Sequence, residues 1–434
     1  MAQLSDDCFA FGGRLQTVDA ALARIAAGVG CVAGVERVAL WDADGRVLAE
    51  DVVAGVNLPP FANSAVDGYA VRLGDRTRLP VRGRAAAGAV AGALAPGSAM
   101  RIFTGAPLPA GADTVYMQED VTEAAGIVDL PAGLRVGANT RPAGEDIARG
   151  AMALPARRVL RPQDVALAAA LGEATLPVRR RVRVGLFSTG DELVDPGVAP
   201  GAAQRWDSNR VLLALLARRA GAIVTDLGIL PDRREAIVDA LAAAGPAHDL
   251  LLTSGGVSTG AEDHVRDAVE AAGRLVFWRI AIKPGRPGAL GQVGGQVGGQ
   301  VGGQVGGQVG GQVGGEVGGQ VGGAVFLGLP GNPVAAFVTF VRVARPVLAA
   351  LGGADAPVLT PLPVVAGFGY RKKAGRREYV RVRLEGGVAR KHGVEGAGIL
   401  TSLTEADGLV ELGDDALGVA EGDMVGFLPF MGLL

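Results

Sequence analysis

DLLLTSGGVSTGAEDHVRDAVEAAG, residues 249–273, joins a short apolar run, a glycine-rich polar loop and an amphipathic stretch. An apolar run bounded by turn residues reads as a buried strand, and the helical spacing after it reads as an amphipathic helix. The same unit recurs on either side. Strand-like runs at 182–188, 222–229, 249–253, 275–282 and 324–328 alternate with helix-like stretches at 209–220, 233–244 and 263–272. Gly221, Gly245 and Gly273 stand just past those stretches, where a C-cap is expected. This alternation predicts a mostly parallel sheet covered on both faces, which binds ligands at the carboxyl ends of its strands.

One tract breaks the pattern. From 291 to 322 the unit GQVG occurs eight times, the seventh copy carrying Glu316 in place of glutamine. A period of four matches neither a strand nor a helix stripe, and its glycines cost backbone entropy on ordering, so the tract reads as a flexible insertion. A partner-binding or self-associating tract is the competing reading.

Upstream, 38–56 and 79–136 read as short strands punctuated by Gly and Pro, with a short helix over 162–172; downstream, 358–434 alternates like a small β-barrel. The 434 residues leave room for about two to four domains. Hydrophobic residues at 49% supply packed cores, and the net charge of −2 argues against a protein that binds nucleic acid over its whole surface. Cys8 and Cys31 are too few for a disulfide framework or a cysteine zinc site, and His248, His264 and His392 form no HExxH. No apolar run of about 18 residues and no signal-type start appear, so no membrane association and a cytoplasmic location are expected.

The chemistry-bearing residues sit in the loops. In Thr253–Gly260, Ser254, Gly255, Gly256 and Ser258 precede a helix whose start Thr259 and Glu262 would fix as a capping box. Backbone N–H groups and hydroxyls there make a candidate anion cradle, with a tight glycine turn as the plainer reading. Neither GxGxxG nor GxxxxGK[ST] is present in this loop. A parallel sheet would bring Ser188, Thr189, Gly190, Asp191 and Glu192 to the same edge, with Asp207 and Ser208, either of which also suits a helix cap. Glu192 and Asp263 beside a phosphate would suit Mg²⁺, which bridges carboxylate and phosphate oxygens. Lys283 and Arg286, held among prolines expected to keep their loop extended, with Arg279 four residues before Lys283, suit an oxyanion clamp. Pro330, Asn332 and Pro333 complete the set, Asn332 as a cap and Pro333 in a first helical turn.

The conjunction of motifs is more specific than any one of them. NSAVDGYAV (63–71), RIFTGAPLPAGAD (101–113), RPAGEDI (141–147), STGDEL (188–193), DSNR (207–210), TSGGVSTG (253–260), IKPGRP (282–287), LPGNPV (329–334) and GRREYVR (375–381) closely resemble the MoeA and gephyrin E-domain family, the molybdopterin molybdenumtransferases. The resemblance implies a multidomain α/β plus β chain. Its parts are a discontinuous N-terminal domain (14–54 with 140–180), a β-rich domain (55–139), a molybdopterin-binding α/β/α domain (181–352) and a C-terminal β-barrel (353–434). The GQVG tract would then expand a short hairpin between IKPGRP and LPGNPV.

The implied activity is Mg²⁺-dependent insertion of molybdate into adenylylated molybdopterin with release of AMP, in a homodimer whose cleft borrows from the other subunit's N-terminal part. Molybdopterin adenylyltransferase and molybdoenzymes that accept the cofactor are the implied partners. By matching motif, Asp67, Thr104, Asp146, Glu192, Asp232, Asp263, Arg279 and Lys283 line the site. Pro330 and Pro333 shape it, and Arg376 or Arg377 and Ser402 face it from the barrel and its neighbourhood. Glu192 and Asp263 are the implied metal ligands. Ala62, Ala261 and Ala397 depart from the family pattern, which usually has aspartate at the first and often an acid and a serine at the others. Alternatives are an inactive, molybdopterin-binding scaffold, a tungstate-preferring insertase, and the adenylyltransferase step.

Overall fold

The computed structural model describes residues 16–74, 76–90, 92–257, 264–285, 287–294 and 323–433. The Thr259–Glu262 capping pair, Ser258, Ala261, Asp263, Arg286 and most of the GQVG tract lie outside these residues, as does the side chain of Arg279. Contacts divide the chain into two units, one formed by 1–36, 45–47 and 179–434, the other by 37–44 and 48–178.

In the first unit, strands Arg183–Thr189, Ile223–Leu230, Leu250–Ser254, Gly273–Arg279, Pro287–Val293 and Ala324–Leu329 form one sheet. Numbered along the chain, their spatial order is second, first, third, sixth, fifth, fourth. The first four in that order run parallel; the fifth strand pairs antiparallel with both of its neighbours. Alternation at period two sends each strand's side chains to opposite faces. Val184 and Leu186, Leu250 and Leu252, and Val325 and Leu327 pack on one face with Leu213 and Leu216 of helix Ser208–Arg219. Phe187, Leu251 and Phe326 pack on the other with Ile237 and Leu241 of helix Arg234–Ala244 and Val265 and Val269 of helix His264–Ala272.

Of the three expected C-cap glycines, only Gly221 has positive φ, at +86°. Gly245 keeps right-handed helical angles and continues into the turn Gly245–Ala247. Gly273 starts a strand at once; a Cβ there would lie 1.9 Å from the Gln292 carbonyl oxygen, so close strand approach explains that glycine. The fifth strand corrects the reading of 291–322 as wholly an insertion, because Gly291, Gln292 and Val293 of the first repeat pair on both sides. Val293 is buried in the core, which gives this copy of the repeat a reason to be a strand.

A Cβ on Gly323 would lie 2.2 Å from the Gly294 carbonyl oxygen, so the two ends of 295–322 meet. Joining them through a short turn shortens the closed loop several-fold, and loop-closure entropy makes the deletion stabilising by roughly 2 kcal/mol at most. Urea unfolding of the deletion variant checks this. A loss of folding would show the tract to be structural.

Asp249 ties down the strand beginnings. Its carboxylate accepts from Arg180 at 2.6 and 2.9 Å and from the Arg183 side chain at 3.0 Å and backbone N–H at 2.8 Å. Burial pushes the Asp249 carboxyl up, but the arginine hydrogen bonds outweigh it and hold its pKa at about 2. A lowered folded pKa gives stability that is complete above the unfolded value and is lost as pH falls toward 2. Asp249→Asn is therefore expected to cost about 2–3 kcal/mol near pH 7 and to flatten the fall in stability between about pH 4 and pH 2. Equilibrium unfolding at both ends of that window tests it.

Helix Val18–Gly28 buries Val18, Ala21 and Ile25 in the α/β core, and the chain after it bonds back through Val32 and Ala33 N–H to the Leu351 carbonyl. Its apolar stripe packs this helix into the first unit. The helical run Pro333–Leu351 has the length and a mean hydropathy, 1.8, of a membrane span. Arg342 and Arg345 interrupt it, so it is no unbroken apolar stretch; 72% of it is buried, and Phe337, Val338, Val341 and Val347 fill the core.

The barrel closes through five strands: Leu362–Ala366, Arg377–Glu385, Val388–Lys391, Gly408–Leu412 and Met424–Pro429. Val364, Val380, Val382, Ala389, Val410 and Phe427 fill it. Strand Ile282–Lys283 leaves the α/β domain and adds parallel to Arg377–Glu378, carrying Lys283 onto the barrel.

In the second unit, a six-stranded sheet runs in the order Thr114–Met117, Gly68–Val71, Ala99–Ile102, Arg78–Ala85, Ile127–Asp129, Thr122–Ala124. Short pairs join Asn63–Ser64 to Thr140–Arg141 and Val52–Val53 to Met152–Leu154, beside the expected helix, Pro162–Ala170.

Candidate active site

Two cavities lie side by side in the first unit, divided by residues 396–400. One, of about 220 Å³, sits at the carboxyl edge of the sheet and is lined by Thr189, Glu192, Asp207, Ser208, Asn209, Ser254 and Gly255, with Trp206 and Gly331–Pro333 completing the wall. The other, of about 270 Å³, is lined by Lys283, Tyr370, Arg381, Lys391 and His392, with Gly396 and Ala397 on the dividing segment. Gly398 and Leu400 of that segment line the first cavity, and the Ala397 carbonyl accepts from the Val334 N–H.

In the first cavity a buried amide network sets the loop. Asn209 Nδ2 donates to Ser254 Oγ at 2.9 Å and to the Gly331 carbonyl at 2.7 Å, drawing two loops and a helix start together. The expected phosphate donor at Gly255 is already used, its N–H donating to the Leu329 carbonyl at 3.1 Å. Side chains are better placed for a ligand. Thr189 is 4% and Asn209 8% exposed, yet Thr189 Oγ1 and Asn209 Oδ1 have no partner among the described residues, and a buried polar atom left unpaired costs about 1–3 kcal/mol. Ser188 Oγ and Thr253 Oγ1 at the strand ends likewise have no partner among the described residues. Gly256 has φ +64°, and a Cβ there would meet Val265 Cγ2 at 2.3 Å and Thr189 Oγ1 at 2.5 Å. Only glycine fits that turn.

The other expected residues of this edge divide. Ser208 lines the cavity, whereas Asp207 is first a helix cap, its Oδ1 accepting from Arg210 N–H at 3.1 Å and its Oδ2 lying 3.3 Å from Arg210 Nε. Asn332 occupies a cap position without making the expected side-chain cap bond, and Pro333 opens its helix. Pro330 is buried near Gly285, which brings the LPGNP and KPG loops together. Glu192 pairs with Arg205 at 2.9 Å, Gly190 turns beneath its carboxylate, and Asp191 Oδ1 accepts from the Asp232 N–H at 3.3 Å. Among the described residues no group of three His, Cys, Asp or Glu side chains gathers as a metal cage. Hard oxygen donors at Glu192 beside a polar cavity fit Mg²⁺, which is commonly held by one or two carboxylates with substrate phosphates completing its shell.

Glu378, 1% exposed at the side chain, lies behind Lys283 and Tyr370 of the second cavity's lining. Its Oε2 accepts from Tyr370 at 2.6 Å and Lys283 Nζ at 3.1 Å, its Oε1 from Arg376 Nε at 2.7 Å, and Lys283 Nζ lies 2.9 Å from the Tyr370 hydroxyl. Burial raises the Glu378 carboxyl, but the Tyr370 hydrogen bond and the two cations bring it below its ordinary value. Burial and then Glu378 push the Tyr370 phenol up. Burial depresses the Arg381 guanidinium, and its buried Nε has no partner among the described residues. Lys391 pairs with Glu395, and His392 Nε2 lies 3.0 Å from Glu405. Gly285 has φ +118°, so this loop turns where an extended run was expected.

The two arginines that the sequence left as alternatives, one just before the barrel strand and one opening it, reach different partners. Arg376 reaches Glu378, while Arg377 turns to Asp19, at 2.9 and 2.8 Å, and to Asp414, at 3.1 Å. Ser402 faces neither cavity; it is fully buried, and its hydroxyl donates to the Ile399 carbonyl at 2.5 Å. Arg279 ends the fourth strand, its backbone opposite Pro287. Asp67, Thr104 and Asp146 belong to the second unit. There Asp67 Oδ1 accepts from the Thr104 N–H at 2.7 Å and hydroxyl at 2.8 Å, bonds that hold its carboxyl below the usual range, and Asp146 is exposed on a loop. Sequence reading missed Tyr370, Glu378, Arg381, Lys391, His392 and Trp206. The available signal was the motif GRREYVR, 375–381, which contains Glu378 and Arg381 beside the two arginines given a role.

Residues 185–350 match the family described as probable molybdopterin binding domain, which, with the two cavities, defines a protein of the molybdopterin-binding class. Residues 16–172 match the MoeA N-terminal region (domain I and II) and 363–430 the MoeA C-terminal region (domain IV). The chain is 35% identical over 406 residues to the molybdopterin molybdenumtransferase of Haemophilus influenzae, covering 91% of this chain and 94% of that protein. It is 34% identical to molybdopterin molybdenumtransferase 2 of Mycobacterium tuberculosis, covering 89% and 92%. The crystal structure of the molybdopterin biosynthesis MoeA protein from Pyrococcus horikoshii OT3 superposes with a TM-score of 0.78 at 28% identity, over 96% of this chain and all of that one (100%). The chain belongs to the MoeA family.

Proposed function

We propose that the chain transfers molybdenum from molybdate to adenylylated molybdopterin with release of AMP, as a Mg²⁺-dependent homodimeric enzyme of the cytoplasm. The observation that carries this reading is the pair of adjoining cavities, one with unpartnered hydroxyl and amide oxygens and the other with cations. Family membership and the printed names of relatives support the reaction class.

On this reading the polar cavity binds the adenylylated substrate, with Thr189, Ser208 and Asn209 as hydrogen-bonding groups. Lys283 and Arg381 attract the tetrahedral oxyanion in the other cavity, and Glu378 holds Lys283 and Arg376 in place so that little reorganisation is needed on binding. The wall at 396–400 keeps the two ligands adjacent. Glu192 would hold Mg²⁺, with Asp263 as the second carboxylate the sequence offers; the ion would polarise the phosphoanhydride that frees AMP. The protein supplies binding and orientation, and no side-chain nucleophile is required.

The experiment is AMP release from adenylylated molybdopterin by the purified chain with Mg²⁺, with and without molybdate, and with tungstate in parallel. Release that requires the oxyanion supports the reading and ranks the two metals. Nucleotide binding without release would favour a binding scaffold instead.

A further inference from the structure

The polar cavity contains one large aromatic surface that phosphate binding does not use. Trp206 is 55% exposed and lines the cavity. Its indole is held by one hydrogen bond, and the backbone on either side of it by two more. Nε1 donates to the Val198 carbonyl at 2.7 Å, the preceding N–H of Arg205 donates to the Glu192 carbonyl at 2.7 Å, and the following N–H of Asp207 donates to the Val194 carbonyl at 2.9 Å. With its only donor used, the indole offers the cavity a preoriented π-surface and no hydrogen bond. In the same wall, Asn209 Oδ1 is an acceptor and Thr189 Oγ1 a donor or acceptor, neither with a partner among the described residues and both from residues more than nine-tenths buried. A stacking face beside polar edge contacts suits a planar, amino-substituted heterocycle better than a sugar or an inorganic anion.

We infer that Trp206 is a specificity-determining residue, the platform on which the planar amino-heterocycle of the substrate stacks. The inference rests on the proposal that this cavity takes the adenylylated substrate. That substrate carries two such rings, adenine and pterin, and both present an exocyclic amino group of the kind Asn209 Oδ1 accepts. Base–aromatic stacking and its loss on truncation are large enough to read as affinity, roughly tenfold per ring.

The test uses the full chain and three probes: AMP, a phosphorylated 6-hydroxymethylpterin, and inorganic phosphate. Binding is measured by calorimetry, with tryptophan emission as a second signal. Wild type is expected to bind at least one ring-bearing probe with saturable quenching, and phosphate without it; which probe quenches identifies the ring. Trp206→Phe loses the indole N–H bond but keeps a face, so affinity should stay within about threefold while the quenching disappears. Trp206→Leu keeps bulk without a face and should lose roughly tenfold. Equal affinity in the Leu variant and wild type, equal losses in the Phe and Leu variants, or quenching by phosphate alone would overturn the inference. Turnover separates it from the parent reading. Normal molybdate-dependent AMP release with an unchanged KM in Trp206→Leu sinks the platform alone. Trp206-dependent ring binding by a wild type that releases no AMP sinks the insertase reading alone.

Discussion

Lys283→Ala is expected to fold normally and to lose on the order of 10²-fold or more in kcat/KM for molybdate-dependent AMP release, the scale seen when one charged or oxyanion-binding donor is removed. The fold should survive because the Lys283 side chain is 45% exposed and Glu378 keeps Arg376 and Tyr370 as partners. The stability change should stay near 1 kcal/mol, since solvent screens a pair open on one side. The chemistry should not survive. Lys283 reaches the cavity because strand Ile282–Lys283 is pinned to Arg377–Glu378, and its ammonium is held by the buried carboxylate and the phenol at once. Alanine removes a preplaced cation and leaves the Glu378 charge in its place, which repels an approaching oxyanion. Steady-state rates across a molybdate series, with a thermal melt on the same sample, check both halves. Wild-type turnover in this variant would remove the second cavity from the site.

Gly256→Ala should have the opposite profile, a damaged fold as well as a damaged site. Its φ of +64° is strained for any L side chain, and the new Cβ would fall 2.3 Å from Val265 Cγ2 and 2.5 Å from Thr189 Oγ1. Val265 is fully buried in the core, so the loop must yield, at a cost of roughly 2–4 kcal/mol. Moving Thr189 also disturbs a residue that lines the polar cavity. Gly331→Ala is the control on the same wall, because the nearest atom its Cβ would meet is Gly255 Cα at 3.6 Å. Denaturant midpoints should separate the two variants clearly, and KM for the adenylylated substrate should rise only in the first. Matching midpoints would show that the loop adopts another conformation.

Much of the architecture was legible because local patterns agree with it. Apolar runs at strand length, helical stripes between them and motif order defined the α/β domain and the barrel before any coordinates. The misreadings share a cause, which is that a glycine or a repeat unit has one spelling and several uses. Gly221 turns a helix end, Gly273 lets two strands approach, and Val293 makes one copy of GQVG a strand by occupying a core position.

The sequence by itself determined the family, the sheet and the presence of hydroxyls, acids and cations at strand ends, since periodicity and short motifs record what neighbours along the chain must do. Only the tertiary structure decided which of those groups meet. Arg376, just before the barrel strand, and Arg377, which opens it, are adjacent in sequence but reach different partners, Glu378 and Asp19. Lys283 and Glu378 are 95 residues apart and bonded, because two strands pair. Whether a serine is a ligand or a core group, and whether a loop N–H is free or already spent as at Gly255, depends on partners brought by other elements, and burial sets the energy of each such meeting.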